Sequence, residues 1–405
     1  MLINNIESDF LYDIIQEFGT PLYLYNCQVI KDNINQIRTN LKYKPLALHF
    51  ACMSNNNIEL LRLIKSQGID IFVCTTEELY IAQKAGFKNK NIAISASNLN
   101  DYELGILVKS NGIINADSLY QFDKLIKLGL KRIGLRIAPN VKMPPSIINA
   151  AIGKESRLGI QEEDALSLIN KSRHSDNLVI GLHMYIGANI LDYKLYLDAI
   201  DRLISIGKQI ETLEYIDIGG GFGIDYNRKK RFNWKNFDYE ISTRMNELSD
   251  QLGKPIELKL EPGRCIIASA GILIARIIEI KEHNGKLFIG TDTNMSNFAR
   301  PYIYNQNHEI ILINNKNCNK QNTVYICGNS IAAKDFLAKK IKLPKAQVGN
   351  YIAIMDTGAY GYSMSSNFCS RLRPVEVLLK NGKAILIRER ETVNDLIRKQ
   401  VIKNE

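Results

Sequence analysis

The chain has 405 residues, of which 45% are hydrophobic and 23% are charged, an ordinary globular composition with more length than one small core needs. No stretch approaches the ~18 uncharged apolar residues of a membrane span, and the N-terminus lacks the basic and apolar regions of a signal peptide, so we expect a cytoplasmic protein without membrane contact. The formal net charge is +10, but the basic residues are spread along the chain, which argues against nucleic-acid binding.

Strand-like and helix-like segments alternate from about residue 28 to about residue 270, the pattern of βα units around a parallel sheet. Three helical segments are followed by glycine, at Gly68, Gly86 and Gly129, as is common at helix C-termini. The strand-like segments predict a closed (β/α)8 TIM barrel over residues 28–270. They read LALHFA, IDIFVC, IAISA, GIINA, IGLRIA, VIGLHMY, LEYIDIG and IELKLE.

Beyond residue 270 the pattern changes to short strands separated by turns, with few helices. This change predicts a second, mainly antiparallel β domain made of residues 1–27 and 271–405. We expect the early strand PLYLYN to join it. The Asn-Gly pair at positions 381 and 382 predicts a β-hairpin.

The cysteines are scattered along the chain, with no Cys-x-x-Cys pair and no histidine at metal-ligand spacing. This pattern favours free thiols in a reducing compartment over disulfides. We therefore expect no metal site.

A glycine-rich segment, "EYIDIGGGFGIDY", follows the seventh predicted barrel strand and contains Gly219, Gly220 and Gly221 in succession. Glycines let backbone N–H groups approach a ligand closely, so this loop is suited to a phosphate. The same glycines are equally typical of a tight turn between a strand and a helix.

The eighth predicted strand runs into "IELKLEPGR", which brings Glu261 and Arg264 to the barrel mouth. A structural salt bridge between them is the alternative. Lys259 lies two residues before Glu261, so we expect it to face the barrel interior with Glu261 as its ion-pair partner. His183 ends the sixth strand, and we expect either a ligand contact or a core histidine there.

Further motifs follow one another along nearly the whole chain: PLYLYN, HFACM, TTEELYIAQKAGF, GLRIAPN, SRLGI, GLHMYIGA, IDIGGGFGIDY, EPGR, NMSNFARPYIY and DTGAYGYSMSSNFCSRLRPVEVLL. Together they resemble the barrel-type (fold III) decarboxylases that use pyridoxal phosphate (PLP), and within that family the diaminopimelate decarboxylases. The resemblance implies a homodimer whose active sites lie at the subunit interface.

The resemblance also implies roles for individual residues. Glu261 would bind the pyridine nitrogen of PLP and keep it protonated, so that the ring acts as an electron sink. Arg300 and Tyr304 would hold a substrate carboxylate. The phosphate of PLP would be held by Gly219, Gly220, Gly221, Arg264 and Tyr360.

Several residues depart from the family pattern at positions that carry its chemistry. The Schiff-base lysine of the family aligns with Met53, and methionine has no amine with which to form that bond. The catalytic cysteine aligns with Ile331. Other departures expected near the cofactor are Phe72, Tyr185, Ala188 and Ala332, and so many changes indicate natural divergence rather than one engineered substitution.

Two hypotheses about function follow from these departures. In the first, the protein is a pseudoenzyme that keeps the fold and the dimer, has lost decarboxylation, and binds a ligand or regulates a partner. In the second, it is an enzyme with a rebuilt site that acts on a carboxylate-bearing amino acid or a derivative of one. PLP would then bind non-covalently or through a relocated lysine such as Lys259, although Lys259 lies deeper than Glu261.

Overall fold

The computed structural model describes residues 8–145, 147, 150–172, 177–227, 229–313 and 321–401. The chain divides into two compact units. The barrel unit comprises residues 31–265, and the β unit combines the residues up to Ile30 with those from Ile266 onward. None of the described helices has both the length and the apolar character that crossing a membrane requires.

The barrel unit is built on parallel strands that close on themselves, eight of them within the described residues. Neighbouring strands follow chain order, and the circle closes where the eighth strand pairs with the first, with Lys259 opposite Ala47. The predicted (β/α)8 barrel is therefore confirmed. Barrel strands one to eight are Leu46–Ala51, Asp70–Val73, Ile92–Ile94, Ile113–Ala116, Arg132–Ala138, Leu178–His183, Tyr215–Asp217 and Glu257–Leu260. A short strand, Ile160–Gln161, pairs with the fifth.

Helices connect the barrel strands, and their ends are set by local sequence. Side chains that accept a first-turn amide hydrogen bond precede five of the described helices, namely Asn57, Thr75, Asn100, Ser118 and Asn233. The predicted terminal glycines have positive φ, as expected at helix C-termini: Gly68, Gly86 and Gly129. The helices are Cys27–Asn40, Ile58–Ser66, Thr76–Lys84, Asp101–Lys109, Leu119–Lys127, Glu162–Ser172, Lys194–Gly207, Trp234–Leu252 and Arg264–Ile267.

The middle of the barrel interior is filled by the ring of Tyr215, the first residue of the seventh strand. The Tyr215 hydroxyl donates a hydrogen bond to Oδ1 of Asn115 at 2.7 Å. A Cβ atom on either Gly134 or Gly181, in the fifth and sixth strands, would collide with the Tyr215 side chain. Glycine is therefore required at both positions, because Tyr215 occupies the space of a side chain at Gly181, and Tyr215 and Asn115 together occupy it at Gly134.

The β unit contains a mainly antiparallel sheet with nine strands among the described residues. The early strand Leu22–Asn26 pairs with both Gly271–His283 and Val375–Lys380, so PLYLYN joins this unit as predicted. The Asn381–Gly382 turn links Val375–Lys380 to Lys383–Arg388 in the predicted hairpin, with positive φ at both residues. The other strands are Lys286–Thr291, Ile310–Leu312, Gln321–Cys327, Phe336–Pro344 and Tyr351–Ile354, and the helices are Ser8–Phe18, Arg300–Tyr304 and Val393–Ile397.

A buried carboxylate, Glu376, lies within this sheet and is fully enclosed. The Tyr25 hydroxyl donates a hydrogen bond to it at 2.6 Å, and Arg388 of the neighbouring strand forms an ion pair with it. Apolar side chains pack around the same strands, including Leu24, Ile274 and Val377. Since the Glu376 charge is paired and hydrogen-bonded, it is tolerated inside the apolar core.

Candidate active site at the barrel mouth

An ionisable cluster formed by His183, Asp217 and Glu261 lies at the C-terminal ends of the sixth, seventh and eighth strands. Nε2 of His183 lies 3.3 Å from Oε2 of Glu261, and one donor atom from each of the three side chains lies within 4.8 Å of the others. All three residues are buried. The structure therefore brings together two predicted site residues, His183 and Glu261, and adds Asp217.

Burial perturbs the protonation of this cluster. It raises the pKa of Glu261 to about 8, and burial together with the neighbouring Glu261 raises the pKa of Asp217 to about 7. Burial lowers the pKa of His183 to about 4. Near neutral pH the imidazole is therefore uncharged, and at least one of the two carboxyl groups carries a proton.

Several polar atoms of the cluster have no hydrogen-bond partner. Among the described residues, none pairs with Nδ1 of His183, Oδ2 of Asp217 or Oε1 of Glu261. Buried polar atoms are normally hydrogen-bonded, because leaving one unpaired costs about 1–3 kcal/mol. A ligand bound here could donate hydrogen bonds to these oxygens, in addition to the hydrogen bond between Asp217 and Glu261.

An ion pair between Arg136 and Asp117 flanks the cluster. The guanidinium lies 3.1 Å from the Asp117 carboxylate, and both side chains are buried. Asp117 also accepts hydrogen bonds from Oγ of Ser97 at 2.7 Å and from the N–H of Gly159 at 3.2 Å. The charge of Arg136 lowers the pKa of Glu261 and so partly offsets the effect of burial.

The opposite side of the mouth is apolar. Met53 packs with Cys74 against a small buried cluster of Ala51, Phe72 and Ala93. The Phe72 ring stacks on His183 with centroids 6.0 Å apart and planes 10° apart. A thioether and a phenyl ring therefore line the wall that faces the ionisable cluster.

Met53 lies just beyond the first barrel strand, which the sequence predicts as LALHFA. The strand ends at Ala51, and residues 52–54 form a single 3-10 turn. The Ser54 hydroxyl donates to the Ala51 carbonyl at 2.7 Å, and the Asn55 N–H donates to the Cys52 carbonyl at 3.0 Å. These two hydrogen bonds explain why the chain leaves the extended conformation before Met53.

Lys259 faces the barrel interior as predicted, but its expected ion pair with Glu261 is wrong. Its ammonium lies 3.5 Å from the carboxylate of Glu257, at the start of the same strand. It also lies 3.8 Å from the centre of the Tyr215 ring. Both partners begin their strands, so the Lys259 ammonium points away from the mouth.

The glycine loop is held by close backbone packing. A Cβ atom would collide with a backbone carbonyl at each of the three positions, and Gly219 and Gly221 have positive φ. The Tyr196 hydroxyl donates to the Gly220 carbonyl at 3.0 Å, and the Tyr196 ring stacks on Phe222 at 5.1 Å. The tight-turn interpretation of these glycines is therefore supported.

The same loop presents donors that have no acceptor. Within the described ranges, no acceptor is found for the backbone N–H groups of Gly220 and Gly221. Arg264 begins the helix after the eighth strand, is buried, and donates to the Tyr226 hydroxyl at 2.6 Å. Unpaired N–H groups on a glycine loop are a common feature of anion sites, so the phosphate interpretation remains compatible with the packing.

Four predicted residues lie in the β unit. Arg300 begins the short helix Arg300–Tyr304 and is buried, and its guanidinium lies 5.1 Å from the centre of the Tyr304 ring. Tyr360 has φ +56°, a conformation that non-glycine residues rarely adopt. The structure thus brings Arg300 and Tyr304 together within this unit.

Ile331, the fourth of these residues, lies on the loop between strands Gln321–Cys327 and Phe336–Pro344, and it is 92% exposed. The loop is nevertheless ordered by Asp335. The Asp335 carboxylate accepts hydrogen bonds from the N–H groups of Met295 at 2.9 Å and Ser330 at 3.0 Å. An apolar side chain is therefore displayed on a rigid loop.

Comparison with known proteins agrees with this architecture. Residues 27–268 match the model of the pyridoxal-dependent decarboxylase, pyridoxal binding domain. The chain belongs to the pyridoxal-dependent decarboxylase family. The family named from the motifs is thereby confirmed.

Individual relatives match over nearly the full length. The diaminopimelate decarboxylase of Methanothermobacter thermautotrophicus is 32% identical over 96% of this chain and 93% of its own, and that of Aquifex aeolicus is 32% identical over 97% and 94%. Among solved structures, diaminopimelate decarboxylase from M. jannaschii in complex with L-lysine has a TM-score of 0.90 at 29% identity, covering 97% of this chain and 94% of that one. The Helicobacter pylori enzyme in complex with L-lysine has a TM-score of 0.88 at 28% identity, covering 96% and 98%.

Three residues of the mouth were not selected from the sequence: Asp217, Arg136 and Asp117. Asp217 ends the seventh strand, Asp117 directly follows the fourth, and Arg136 lies two residues before the end of the fifth. Charged residues at strand ends of a barrel are candidates for function. That positional signal, applied to every strand, would have found all three.

Proposed function

We propose that this chain is a diverged member of the pyridoxal-dependent decarboxylase family that has lost lysine-dependent decarboxylation and retains a ligand-binding barrel. The observation that carries the proposal is that Met53, and not a lysine, follows the first barrel strand and packs against Phe72 at the mouth. Chemistry on a covalently held pyridoxal cofactor requires an enzyme amine. Met53 stands where the motif resemblance expects that amine, and its thioether cannot supply one.

The second candidate is an enzyme whose amine has moved to Lys259, the one lysine that the described residues bury. Glu257 and Glu261 are four residues apart on one strand, which corresponds to about 13 Å. The Lys259 ammonium is paired with Glu257 and contacts the Tyr215 ring. It is therefore directed toward the start of the strand, away from Glu261 and the barrel mouth. This direction disfavours a relocated Schiff base.

The residues that remain fit a pyridoxal cofactor without a covalent bond. Glu261, with its unpaired buried oxygen, would hold the ring nitrogen. Gly220 and Gly221, with their N–H groups lacking acceptors within the described ranges, would hold the phosphate together with Arg264. When bound, such a cofactor supplies an electron sink next to the substrate carbon.

A small amino acid with a carboxylate is the ligand class that we propose for this chain. The relatives from M. jannaschii and Helicobacter pylori were crystallised with L-lysine, which carries such a group. In this chain, the buried Arg300 guanidinium beside Tyr304 is chemically suited to a carboxylate.

We also propose a homodimer, as the family resemblance implies. The side chain of Ile331, which is 92% exposed, would be available to such a contact. Sedimentation velocity of the purified chain tests it, with a dimer expected. A chain that stays monomeric at all concentrations would contradict it.

The test of lost covalent chemistry is borohydride trapping after addition of PLP, followed by peptide mapping. We expect no reduced adduct in the wild-type protein and none in Met53→Leu, which matches methionine in size. Met53→Lys should give an adduct at position 53, because it restores an amine at that site. Release of CO2 from diaminopimelate, measured in parallel, should be undetectable in the wild type.

Two outcomes would overturn these assignments. A wild-type adduct on Lys259 that disappears in Lys259→Met would show that the amine has moved and the protein is an enzyme with a rebuilt site. A Met53→Lys variant that folds and binds PLP but is never trapped would show that residue 53 does not face the cofactor.

A further inference from the structure

A buried histidine, His308, lies directly beside the guanidinium of Arg300 in the β unit. Nε of Arg300 donates a hydrogen bond to Nε2 of His308 at 3.5 Å. The two residues are 3% and 2% exposed, so water does not compete freely for this contact. The histidine is therefore the immediate neighbour of the side chain that is proposed to bind a carboxylate.

The second ring nitrogen of His308 determines which tautomer is present. Nδ1 lies 2.8 Å from the carbonyl oxygen of Met355. A carbonyl oxygen can only accept a hydrogen bond, so Nδ1 carries the proton. In the neutral ring Nε2 is then unprotonated, and its lone pair accepts the N–H of Arg300. The two contacts are compatible in this tautomer alone.

The surroundings of His308 hold its ring in place. Met355, which accepts from Nδ1, also donates its own N–H to the carbonyl of Glu309 at 2.9 Å. Phe298 is fully buried and packs edge-to-face on the His308 ring, with centroids 4.8 Å apart and planes at 81°. Backbone hydrogen bonds and a core aromatic ring therefore fix the acceptor that Arg300 uses.

These contacts define the orientation of the Arg300 guanidinium. Its Nε edge is turned toward His308, and its central carbon lies 5.1 Å from the centre of the Tyr304 ring. Arginine binds a carboxylate through a planar fork of N–H groups, so the direction of that fork decides whether both oxygens are bound. With Nε turned toward the histidine, the Nη edge is the one presented to a carboxylate.

We propose that His308 is a positioning residue, whose ring accepts from Nε of Arg300 and so orients the guanidinium to bind the ligand carboxylate through its Nη groups. This inference rests on the proposed function, in which Arg300 binds the carboxylate of a small amino acid. His308 acts through Arg300 and does not contact the ligand. Its loss should therefore weaken the binding of ligands that carry a carboxylate and spare those that lack one.

The test compares the binding of L-lysine and cadaverine to the full-length protein by isothermal titration calorimetry. Cadaverine is L-lysine without its carboxyl group, so it lacks only the contact that Arg300 would make. The titrations are run with and without pyridoxine 5′-phosphate, a cofactor analogue that has no aldehyde to react with the ligand amine. His308→Leu should weaken L-lysine binding about tenfold and leave cadaverine binding within about twofold of the wild type.

Two matched variants separate positioning from packing. His308→Gln places an amide oxygen near the position of Nε2 and keeps an acceptor for Arg300, so L-lysine affinity should stay within about threefold of the wild type. His283→Gln makes the same change at an exposed histidine of the β unit and should have no effect. Circular dichroism of each variant verifies that it is folded.

Nuclear magnetic resonance tests the contact itself without any ligand. The nitrogen chemical shifts of the His308 ring, assigned by their loss in His308→Gln, should show a protonated Nδ1 and an unprotonated Nε2. The Nε–H of Arg300, assigned through Arg300→Lys, should exchange with solvent at least about tenfold faster in His308→Leu than in the wild type.

The proposal is overturned if Nδ1 of His308 is unprotonated, or if L-lysine binds equally well to folded His308→Leu and to the wild type. A wild type that does not bind L-lysine would overturn the proposed ligand class, and with it the purpose of the contact. The resonance measurement fails only where the contact is absent. Failure of the proposed function is therefore distinguished from failure of this inference.

Discussion

Replacing Glu261 by glutamine should make the ligand-free protein more stable at alkaline pH, although a buried acid is being removed. The folded state raises the pKa of Glu261 from 4.5 to about 8, chiefly through burial. Such a group contributes its full stability only below pH 4.5, and that contribution is lost as pH rises through 8. Glutamine resembles the protonated acid and does not titrate.

The size of the effect follows from the two pKa values. At about 1.4 kcal/mol for each pKa unit, at most about 5 kcal/mol of stability is lost between pH 4.5 and pH 8, because Glu261 ionises in the unfolded chain while it stays protonated in the folded protein. The pKa of Asp217 is raised from 3.8 to about 7, chiefly by burial and in part by Glu261 itself. The stability contributions of Glu261 and Asp217 therefore overlap and do not add. We expect the free energy of unfolding of Glu261→Gln to exceed that of the wild type by roughly 2–4 kcal/mol at pH 8.5. At pH 5.5 the two free energies should agree within about 1 kcal/mol.

The assay is urea unfolding followed by the fluorescence of Trp234, the single tryptophan of the chain, which is buried in the barrel unit. Unfolding free energies are compared at pH 5.5, 6.5, 7.5 and 8.5, chosen to span the two pKa values. Glu247→Gln, an exposed position on helix Trp234–Leu252, is the control and should follow the wild type. If the free energies of wild type and Glu261→Gln keep a constant difference from pH 5.5 to 8.5, the reasoning is refuted.

Two further predictions concern packing and a buried ion pair, and thermal unfolding by circular dichroism measures both. Gly181→Ala should destabilise the fold by about 1–3 kcal/mol because its methyl group would collide with Tyr215. Gly105→Ala, on a helix with open space around it, should instead stabilise by about 0.5–1 kcal/mol; the same sign for both would contradict the packing argument. Glu376→Gln should lower the free energy of unfolding by about 1–3 kcal/mol because it breaks the ion pair with Arg388 inside the β sheet. An unchanged thermal midpoint would show that this ion pair contributes nothing to stability.

Much of the fold was predictable because it depends on local signals. Alternating strands and helices, the helix-ending Gly86, and the Asn381–Gly382 hairpin are each set by a few neighbouring residues. The barrel followed from the repetition of these signals. The 3-10 turn at Met53 was not predictable from alternation alone, because it depends on the hydrogen bond from the Ser54 hydroxyl to the Ala51 carbonyl.

The partner of Lys259 shows why contacts in the site were harder to predict. Glu257 and Glu261 lie two residues before and after Lys259 and share its face of the strand. The sequence is therefore nearly symmetrical around the lysine. The direction of the side chain selects Glu257, and that direction depends on Tyr215, a residue of another strand, which packs beneath the ammonium.

Convergence across the barrel is similarly invisible in the linear chain. Asp217 joins His183 and Glu261 only because the sixth, seventh and eighth strands are adjacent. Arg136 contacts Asp117 because the fourth and fifth strands are adjacent. The family resemblance identified Glu261 through its motif. It offered nothing for Arg136 or Asp117, whose importance depends on how the strands are arranged.

The ring of Tyr215 also constrains how this barrel can evolve. Gly134 and Gly181 are fixed by the volume of a side chain on a third strand, so the three positions cannot change independently. A larger residue at Gly181 becomes acceptable only after Tyr215 has been replaced by something smaller, and one at Gly134 also requires a change at Asn115, whereas replacing Tyr215 alone opens a cavity. Any lineage that exchanges this tyrosine must pass through a less stable intermediate, which makes the order of substitutions, and not only their sum, a property of the fold.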